Sequence, residues 1–314
     1  MKRTLGIVFM GTPDFAVPTL KNLIGNNYYI KAVVTQPDRP KGRGKKISYS
    51  PVKQEAMGHG FKILQPEKLS TEFINNLVEL KPDLIIVVAY GKILPESVLR
   101  TPPLGCVNVH ASLLPQYRGA APIHRALING EKTTGITTMY MTKGMDTGDI
   151  ILQRDTNIKE DETVGLLHDR LAEMGAEVLL ETIEYIVKGN VFRREQDQEK
   201  ATYAPPLKRE EEIINWEDSA RNIFNQVRGM NPWPGAYTFF KEKRLKIWGS
   251  RVAQEEGSFK PGKVLKINEE GIKIGTGKGI LLATELQLSG SRKMSAVDFL
   301  KGNKLEAGDL LGGR

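Results

Sequence analysis

Apolar runs and helical patterns alternate along the first half of the chain. Mainly apolar runs predict strands at 5–10, 29–35, 84–89 and 106–110. Between two of them, the spacing of apolar residues at 71–80 predicts a helix. The run at 84–89 is apolar throughout, which is typical of a strand buried on both faces. Because strands that alternate with helices form parallel sheets covered on both sides, we predict an α/β domain here.

The pattern changes after a long amphipathic helix, which the spacing predicts over 163–187. A polar stretch that ends in two prolines follows and indicates a linker. The last third of the chain contains short apolar runs separated by Gly, Lys and Glu, which are typical of a small β-barrel. We therefore predict a first domain over 1–189, a linker over 190–206 and a β-barrel domain over 207–314.

Two polar side chains interrupt the apolar strand at 106–110. Asn108 and His110 are two positions apart, so both project from one face of the strand, while the valines beside them face the other way. They lie at the carboxyl end of the strand, where parallel sheets bind ligands. Asp146, in a glycine-flanked loop, is the natural third member of a set that could handle protons and stabilise an oxyanion.

The same residues have a plainer interpretation. Asn108 and His110 could merely hydrogen-bond a turn, with Asp146 closing a loop, and spacing alone leaves both interpretations open. No hydroxyl or thiol is clearly paired with His110 as a nucleophile, which points to chemistry in which the substrate supplies the nucleophile. Arg118, in the loop that follows the strand, could bind an anion or be an ordinary surface arginine.

The chain carries an excess of positive charge. Its net charge is +8 and its pI is about 9.3, and residues 201–314 contribute +5 through 19 Lys and Arg against 14 Asp and Glu. Four cations lie within positions 41–46, between glycines, where they can neutralise phosphates. The charge therefore indicates an anionic partner such as a nucleic acid, although a solvated basic loop would give the same composition.

Composition narrows the class of protein further. The single cysteine, Cys106, excludes an intrachain disulfide, fits a reducing compartment and is expected to be a buried core thiol. With four histidines and no pair at metal-ligand spacing, we expect no metal site. No apolar run is long enough for a membrane helix, so we expect no membrane partner. We expect a cytoplasmic protein and a monomer.

Several stretches together resemble the formyltetrahydrofolate-dependent formyltransferases. Three of them carry the candidate chemistry, at 108–115, 118–122 and 146–149. Others that support the resemblance lie at 11–15, 35–40, 42–46, 88–91 and 231–235. The resemblance thus covers nearly the full length of the chain, and within the family it is greatest to members that act on methionyl initiator tRNA.

The resemblance implies a fold and an activity. The fold would be a Rossmann-like catalytic domain with a parallel sheet, followed by a small, OB-like C-terminal β-barrel. The activity would be transfer of the formyl group of 10-formyltetrahydrofolate to the α-amino group of methionyl initiator tRNA, which yields formylmethionyl-tRNA for translation initiation. By the family's motif, Asn108, His110 and Asp146 are catalytic. The residues that contact the folate would be Ser112, Leu113, Leu114 and Pro115.

The resemblance also implies how the tRNA binds. The basic C-terminal domain would hold the tRNA body, and a basic loop would enter the region of the acceptor stem. The residues of this loop that contact the tRNA would be Arg39, Lys41, Arg43, Lys45 and Lys46.

Three other functions stay open at this point. One is a formyltransferase that acts on a small amine, such as an amino sugar nucleotide, but this enzyme would not need the basic loop or the basic C-terminal domain. Another is a hydrolase of formylfolate, in which water replaces the amine. The third is an RNA-binding protein without activity, and the complete set of Asn108, His110 and Asp146 argues against it.

Overall fold

The computed structural model describes residues 5–41 and 46–312 of the chain. Contacts within the chain divide it into two compact units. The first unit comprises Met1–Gly119, Thr134–Thr156 and His168–Ala204. The second unit comprises Ala120–Thr133, Asn157–Leu167 and Pro205–Arg314. Two short segments from the first two thirds of the chain therefore belong to the second unit. The domain and linker boundaries given by the sequence stay predictions.

A mostly parallel sheet forms the centre of the first unit. Its strands and those of a separate hairpin are β1 (Gly6–Gly11), β2 (Tyr29–Val34), β3 (Arg39–Lys41), β4 (Lys46–Ser48), β5 (Ile63–Leu64), β6 (Leu84–Val88), β7 (Cys106–His110), β8 (Thr133–Tyr140) and β9 (Ile150–Asn157). The strand order is β5-β2-β1-β6-β7-β8-β9, and β3 pairs with β4 in the hairpin. The pairs from β5 to β7 are parallel, whereas β8 is antiparallel to β7. The predicted α/β domain with a parallel sheet is confirmed.

Helices pack on both faces of this sheet. The α-helices within the described ranges are α1 (Val17–Gly25), α2 (Pro51–Gly58), α3 (Thr71–Glu79), α4 (Glu96–Leu99), α5 (Pro122–Ile128), α6 (Val164–Lys188), α7 (Ala220–Gly229) and α8 (Ala296–Gly302). Of these, α5, α7 and α8 belong to the second unit. On one face, Leu77 of α3 shares a core cluster with Val8 and Ile85. On the other, Val109 packs against α6, because a β-carbon on Gly175 would lie 3.0 Å from Val109 Cγ1. None of these described helices is both long and apolar enough to cross a membrane.

The parallel strands bring their carboxyl ends to one edge of the sheet. Val87 of β6 lies opposite Asn108 of β7, so the two strands end at nearly the same height. Polar groups that follow β1, β2 and β6 meet at this edge, where Thr12 Oγ1 and Gln36 Nε2 each donate to Tyr90 O at 3.1 Å. This is the edge at which α/β folds bind their ligands.

An antiparallel sheet forms the centre of the second unit. Its strands are β10 (Tyr237–Phe240), β11 (Lys243–Gln254), β12 (Val264–Asn268), β13 (Gly271–Gly275), β14 (Ile280–Leu288) and β15 (Met294–Ser295). The order is β10-β11-β14-β13-β12, with β15 also on β14, and each pair is antiparallel. Ile247 of β11 shares the core with Ile223 of α7 and Phe299 of α8. The β domain predicted for the C-terminal part of the chain is confirmed.

Candidate active site

Strand β7 carries the first two candidate residues. Asn108 lies opposite Met139 of β8, and His110 lies opposite Thr137. Both polar side chains are buried, whereas the neighbouring strand β6 buries only apolar residues. A buried polar side chain must be hydrogen-bonded or functional, because burial without a partner costs free energy. The partners of each side chain therefore decide between a structural and a chemical role.

His110 is fixed between a carbonyl and a carboxylate. Its Nε2 lies 3.0 Å from Tyr117 O, and its Nδ1 lies 3.6 Å from Asp146 Oδ2. A carbonyl oxygen only accepts hydrogen bonds, so His110 Nε2 must carry a proton and donate it to Tyr117 O. The Nδ1 edge consequently faces the carboxylate, at a separation somewhat longer than a hydrogen bond. The structure thus brings together two of the three residues predicted to be catalytic.

Asp146 reaches the sheet edge from the loop between β8 and β9. Its backbone has φ of 54°, in the left-handed region that residues other than glycine rarely adopt. Gly119 N donates to Asp146 Oδ2 at 2.8 Å, so this oxygen faces both the amide and His110. Within the described residues, no group hydrogen-bonds Asp146 Oδ1. The carboxylate is therefore oriented through one oxygen, and its other oxygen is available to a substrate.

The Asn108 amide has no hydrogen bond to any residue that the structure describes. It is buried all the same, with 9% of the residue exposed. The plainer interpretation of Asn108, as a residue that stabilises a turn, is not supported, because such a role requires a bond to the turn. An amide N–H that is held on a strand without a protein partner can donate to an oxygen that becomes negative during a reaction.

The loop predicted to contact folate is tightly bonded to the protein. Thr137 Oγ1 donates to Ser112 O at 2.7 Å and accepts from Leu114 N at 3.1 Å. Gln153 Nε2 donates to Leu114 O at 2.8 Å. The backbone N–H of Leu114 is therefore already engaged, while the side chains of Leu113 and Pro115 are partly exposed. The contact between Ser112–Pro115 and folate stays a prediction, and the exposed parts of the loop are mainly apolar.

Arg118 does not lie at the surface. Its side chain is buried, so the alternative of an ordinary surface arginine is wrong. Its Nε and Nη2 donate to Gln196 Oε1 at 3.0 and 2.7 Å. Gln196 is itself buried and donates through Nε2 to Asp146 O at 2.9 Å and to Gly148 O at 2.7 Å. The guanidinium thus bonds to an internal amide that contacts the Asp146 loop.

Sequence reasoning missed Gln196, Thr137 and Gln153. Gln196 lies in a polar stretch that has the composition of a linker, and nothing in that stretch distinguishes it from its exposed neighbours. Thr137 and Gln153 lie on strands but bond to a loop about 25 and 39 residues earlier in the chain. Side chains that act over such distances leave no local spacing signal.

Only part of the basic loop falls within the described residues. Arg43 and Lys45 lie outside them, and for Lys41 and Lys46 the structure gives the strand positions, which pair across the hairpin of β3 and β4. Arg39 is exposed at the start of β3. The contacts of these five residues with tRNA stay predictions.

The base of the hairpin is anchored to the rest of the first unit. Asp38 forms an ion pair with Lys53 and accepts from Gln65 Nε2 at 2.9 Å. The hydrogen bond from Lys53, and to a lesser extent that from Gln65, lowers the pKa of Asp38. Lys53 Nζ also lies 4.1 Å from the ring centre of Tyr49, which follows β4. Both ends of the hairpin are therefore fixed at its base.

Burial keeps two reactive side chains of the first unit neutral, the thiol of Cys106 and the phenol of Tyr90. Cys106 is buried, and burial raises the pKa of its thiol to about 12, in agreement with the prediction of an inert core thiol. Burial also raises the pKa of Tyr90 to about 12. Across residues 5–41 and 46–312, no group of three His, Cys, Asp or Glu side chains is placed to hold a metal ion.

The chain matches two family models in succession. Residues 5–183 match the model described as "Formyl transferase". Residues 206–304 match the model described as "Formyl transferase, C-terminal domain". The first match includes Asn108, His110 and Asp146.

Curated relatives are similar over nearly the whole length. A protein of Pelotomaculum thermopropionicum named methionyl-tRNA formyltransferase is 54% identical over 308 residues, which cover 98% of this chain and 98% of the relative. A protein of Bacillus subtilis with the same name is 50% identical over 308 residues, which cover 98% of this chain and 97% of the relative.

Solved structures with much lower identity share the fold. WlaRD, a sugar 3N-formyl transferase solved with dTDP and 5-N-formyl-THF, has a TM-score of 0.66 and 20% identity, over 92% of this chain and 100% of WlaRD. HypX of Aquifex aeolicus, solved in complex with tetrahydrofolic acid, has a TM-score of 0.66 and 19% identity over 99% of this chain. This chain spans 51% of the length of HypX. The methionyl-tRNA formyltransferase of Clostridium thermocellum has a TM-score of 0.55 and 17% identity, over 79% of this chain and 93% of that structure.

The solved structures support the fold, whereas the family models and the curated relatives show which family the sequence belongs to. One model covers more than half of the chain, and the relatives are at least 50% identical over 98% of it. The chain belongs to the formyl transferase family.

Proposed function

We propose that this chain transfers the formyl group of 10-formyltetrahydrofolate to the α-amino group of methionyl initiator tRNA. The observation that carries the proposal is the identity of 54% and 50%, over 98% of the chain, to proteins named methionyl-tRNA formyltransferase. The geometry at the end of β7 fits the same reaction, because His110 and Asp146 face each other beside an unbonded Asn108 amide. The product would be formylmethionyl-tRNA, which serves translation initiation.

The substrate supplies the nucleophile in this reaction. An α-amino group titrates at about 7.7–8.0, and esterification of the carboxyl group lowers this further, so a large fraction of the amine is neutral at cellular pH. The neutral nitrogen attacks the formyl carbon, the bond from that carbon to the folate nitrogen breaks, and the folate nitrogen gains a proton. The enzyme must therefore position two substrates, stabilise an oxyanion and move one proton, without a nucleophile of its own.

Each of the three residues has a place in this scheme. The Asn108 amide donates an N–H to the oxygen of the tetrahedral intermediate. The second donor is the N–H at Nδ1 of protonated His110, because the N–H at Nε2 is already donated to Tyr117 O. Asp146 holds His110 through Oδ2 and moves the proton of the attacking amine towards the folate nitrogen. The free position of Asp146 Oδ1 supports this role, because a group that relays a proton needs an unoccupied oxygen.

The remaining contacts are proposed on the same basis. The folate ring would contact the partly exposed Leu113 and Pro115 and the remaining backbone groups of the Ser112–Pro115 loop. The acceptor end of the tRNA would contact the hairpin of β3 and β4 and the basic residues between its strands. We also propose that the protein acts in the cytoplasm, where charged tRNA is available, and that it is a monomer. Light scattering of the purified protein would contradict the second proposal if it gave the mass of a dimer.

One assay distinguishes the proposed activity from its alternatives. Purified protein is incubated with 10-formyltetrahydrofolate and methionyl initiator tRNA, and formyl incorporation into the tRNA is followed with charged elongator tRNA as a control. We expect incorporation into the initiator and much less into the elongator. Release of formate without tRNA would indicate a hydrolase instead. Formylation of an amino sugar nucleotide, with none of the tRNA, would indicate a small-amine enzyme.

A further inference from the structure

We propose that Arg118 and Gln196 are positioning residues that hold the Asp146 carboxylate in place for formyl transfer. The inference rests on the proposed function in one respect, which is the role of Asp146. Neither residue touches the reacting atoms. Arg118 orients Gln196, and Gln196 in turn holds the backbone carbonyls of Asp146 and Gly148.

Gln196 bridges two carbonyls of the loop that carries Asp146. Its Nε2 donates to Asp146 O at 2.9 Å and to Gly148 O at 2.7 Å, so both amide protons bond to the loop. The neighbouring residues Lys143 and Met145 are exposed, and Asp146 itself has the unfavourable φ of 54°. A conformation of this kind persists only where surrounding bonds impose it. Gln196 provides two such bonds from a buried position.

Arg118 determines which end of the Gln196 amide faces the loop. A glutamine amide can in principle turn over and exchange its oxygen and nitrogen. The guanidinium has donors only, and two of its N–H groups converge on Gln196 Oε1. The opposite orientation would place the amide protons of Gln196 against the guanidinium and its oxygen against two carbonyls. Arg118 therefore fixes Gln196 Nε2 towards Asp146 O and Gly148 O.

The cost of burying Arg118 supports a specific role. Only 1% of the residue is exposed, and no carboxylate within the described residues pairs with it. Its third side-chain bond is donated from Nη1 to Gln198 Oε1 at 2.9 Å, which is also a neutral amide. Burying a charge without an opposite charge is unfavourable, and an apolar side chain of similar length would avoid this cost. The guanidinium offers what such a side chain lacks, a planar set of donors with fixed directions.

The backbone at Arg118 also links His110 to Asp146. Tyr117 O accepts from His110 Nε2, and Gly119 N donates to Asp146 Oδ2. Between these two contacts, Arg118 N donates to Thr202 O at 2.9 Å, and Ala204 N donates to Arg118 O at 2.7 Å. Tyr117 and Gly119 flank Arg118, so a displacement of the backbone at Arg118 would move the partners of both catalytic groups. Misplacement by about 1 Å is enough to reduce a rate by about 100-fold.

The primary test compares Gln196→Met with Asp197→Asn. Methionine preserves length and burial but donates no hydrogen bond, whereas Asp197 is an exposed neighbour on the same segment. We expect Gln196→Met to lower kcat by about 10- to 100-fold with little change in KM for folate or tRNA, because only the position of a reacting group changes. Asp197→Asn should leave kcat and KM unchanged. A Gln196→Met enzyme with normal kcat, or with a change in KM alone, would overturn the proposal.

A double-mutant cycle tests whether Gln196 acts through Asp146. In an Asp146→Asn background, measured in single turnovers with excess enzyme, adding Gln196→Met should change the rate by no more than about twofold. The full effect of Gln196→Met in that background would show that Gln196 acts elsewhere. Arg118→Met should reproduce the loss seen in Gln196→Met, and Arg118→Lys, which keeps one donor for Gln196 Oε1, should recover part of it.

A spectroscopic readout separates this inference from the proposed function. The ring resonances of His110, followed by NMR in the full-length protein, should shift in Gln196→Met and in Arg118→Met but not in Asp197→Asn. Unshifted resonances in a folded Gln196→Met protein would overturn the positioning role whether or not the enzyme formylates tRNA. If the wild-type protein did not formylate tRNA but the two variants still showed these shifts, only the proposed function would be contradicted.

Discussion

The three candidate catalytic residues differ in how far the protein satisfies them. His110 Nε2 and Asp146 Oδ2 both have protein partners, while the Asn108 amide and Asp146 Oδ1 have none among the residues that the structure describes. Oriented groups with one unsatisfied atom are typical of sites that stabilise charge in a transition state, because they need no rearrangement when that charge appears. A purely structural set would satisfy all of its atoms.

Replacing Asn108 with alanine should therefore affect catalysis far more than stability. Loss of a single oxyanion donor lowers kcat by about 100- to 1000-fold. The melting temperature should stay the same or rise, since the side chain gives up no hydrogen bond within the described residues. Steady-state formylation and thermal unfolding of the same preparation measure the two effects.

The matched control is Thr138→Val on the neighbouring strand. Thr138 is buried and its Oγ1 lies 2.7 Å from Thr182 Oγ1, on the face of the sheet that packs against α6. Its loss should lower the melting temperature and leave kcat nearly unchanged. If Asn108→Ala instead lowered the melting temperature and kept its activity, Asn108 would be a structural residue.

At the scale of elements, the loop between β8 and β9 determines where Asp146 lies. The loop is closed by a hydrogen bond that Tyr140 N donates to Asp149 O at 2.9 Å. Gly148 passes so close to β8 that a β-carbon on it would lie 1.7 Å from Tyr140 O. Backbone atoms cannot yield at that distance, so a larger residue must displace the loop. The absence of a side chain at Gly148 is therefore a condition for placing Asp146 against His110.

Gly148→Ala should lower kcat by about 10- to 100-fold, the loss that accompanies a displacement of about 1 Å at a reacting group. Gly144→Ala in the same loop is the control, because a β-carbon there would meet Thr147 Oγ1 at 2.1 Å, and a threonine side chain can rotate away. We expect this control to keep most of its activity. Equal losses of kcat in both variants would mean that the loop tolerates no change at all and that Gly148 has no special position.

The hairpin of β3 and β4 gives a second prediction for an element. Asp38→Asn should raise KM for tRNA by about 2- to 10-fold, the range expected from one partly exposed ion pair and its hydrogen bonds, and should leave KM for folate unchanged. The ion pair with Lys53 fixes the base of the hairpin, and the basic residues lie beyond that base. Glu184→Gln, which removes an ion pair with Lys188 at the end of α6, should change neither constant.

The pH dependence of this anchor follows from the pKa of Asp38. Its hydrogen bonds with Lys53 and Gln65 lower the pKa below the usual carboxyl range. The ionised form is therefore favoured in the folded state, and the contribution of the anchor is present above the unfolded pKa and lost as the pH falls through the lowered, folded one. Because Asp38 stays ionised near neutral pH, its titration should not change KM for tRNA in the wild type there. A wild-type KM that rose to the Asp38→Asn value already at pH 6 would contradict this assignment.

At the scale of the whole molecule, the parts of the site that are local in sequence could be predicted, and those that depend on distant partners could not. Alternation along 106–110 is enough to place Asn108 and His110 on one strand face, and continuous apolar runs are enough to predict the parallel sheet. The buried positions of Arg118 and Gln196 left no such signal, because each is a single polar residue outside the strands and helices. Their burial results from pairing between segments about 80 residues apart, which spacing does not encode.

The positive charge of the chain belongs to this largest scale and can be tested through salt dependence. Each phosphate contact made by a cation steepens the decrease of log K with log salt concentration, because binding releases counterions. Replacing Lys41 and Lys46, which pair across the hairpin, with alanine should reduce this slope by about 1 for each phosphate that is no longer neutralised. Replacing Lys62 and Lys188 removes the same charge from positions that precede β5 and end α6. If the slope fell equally in both double variants, the effect would come from net charge and not from the hairpin.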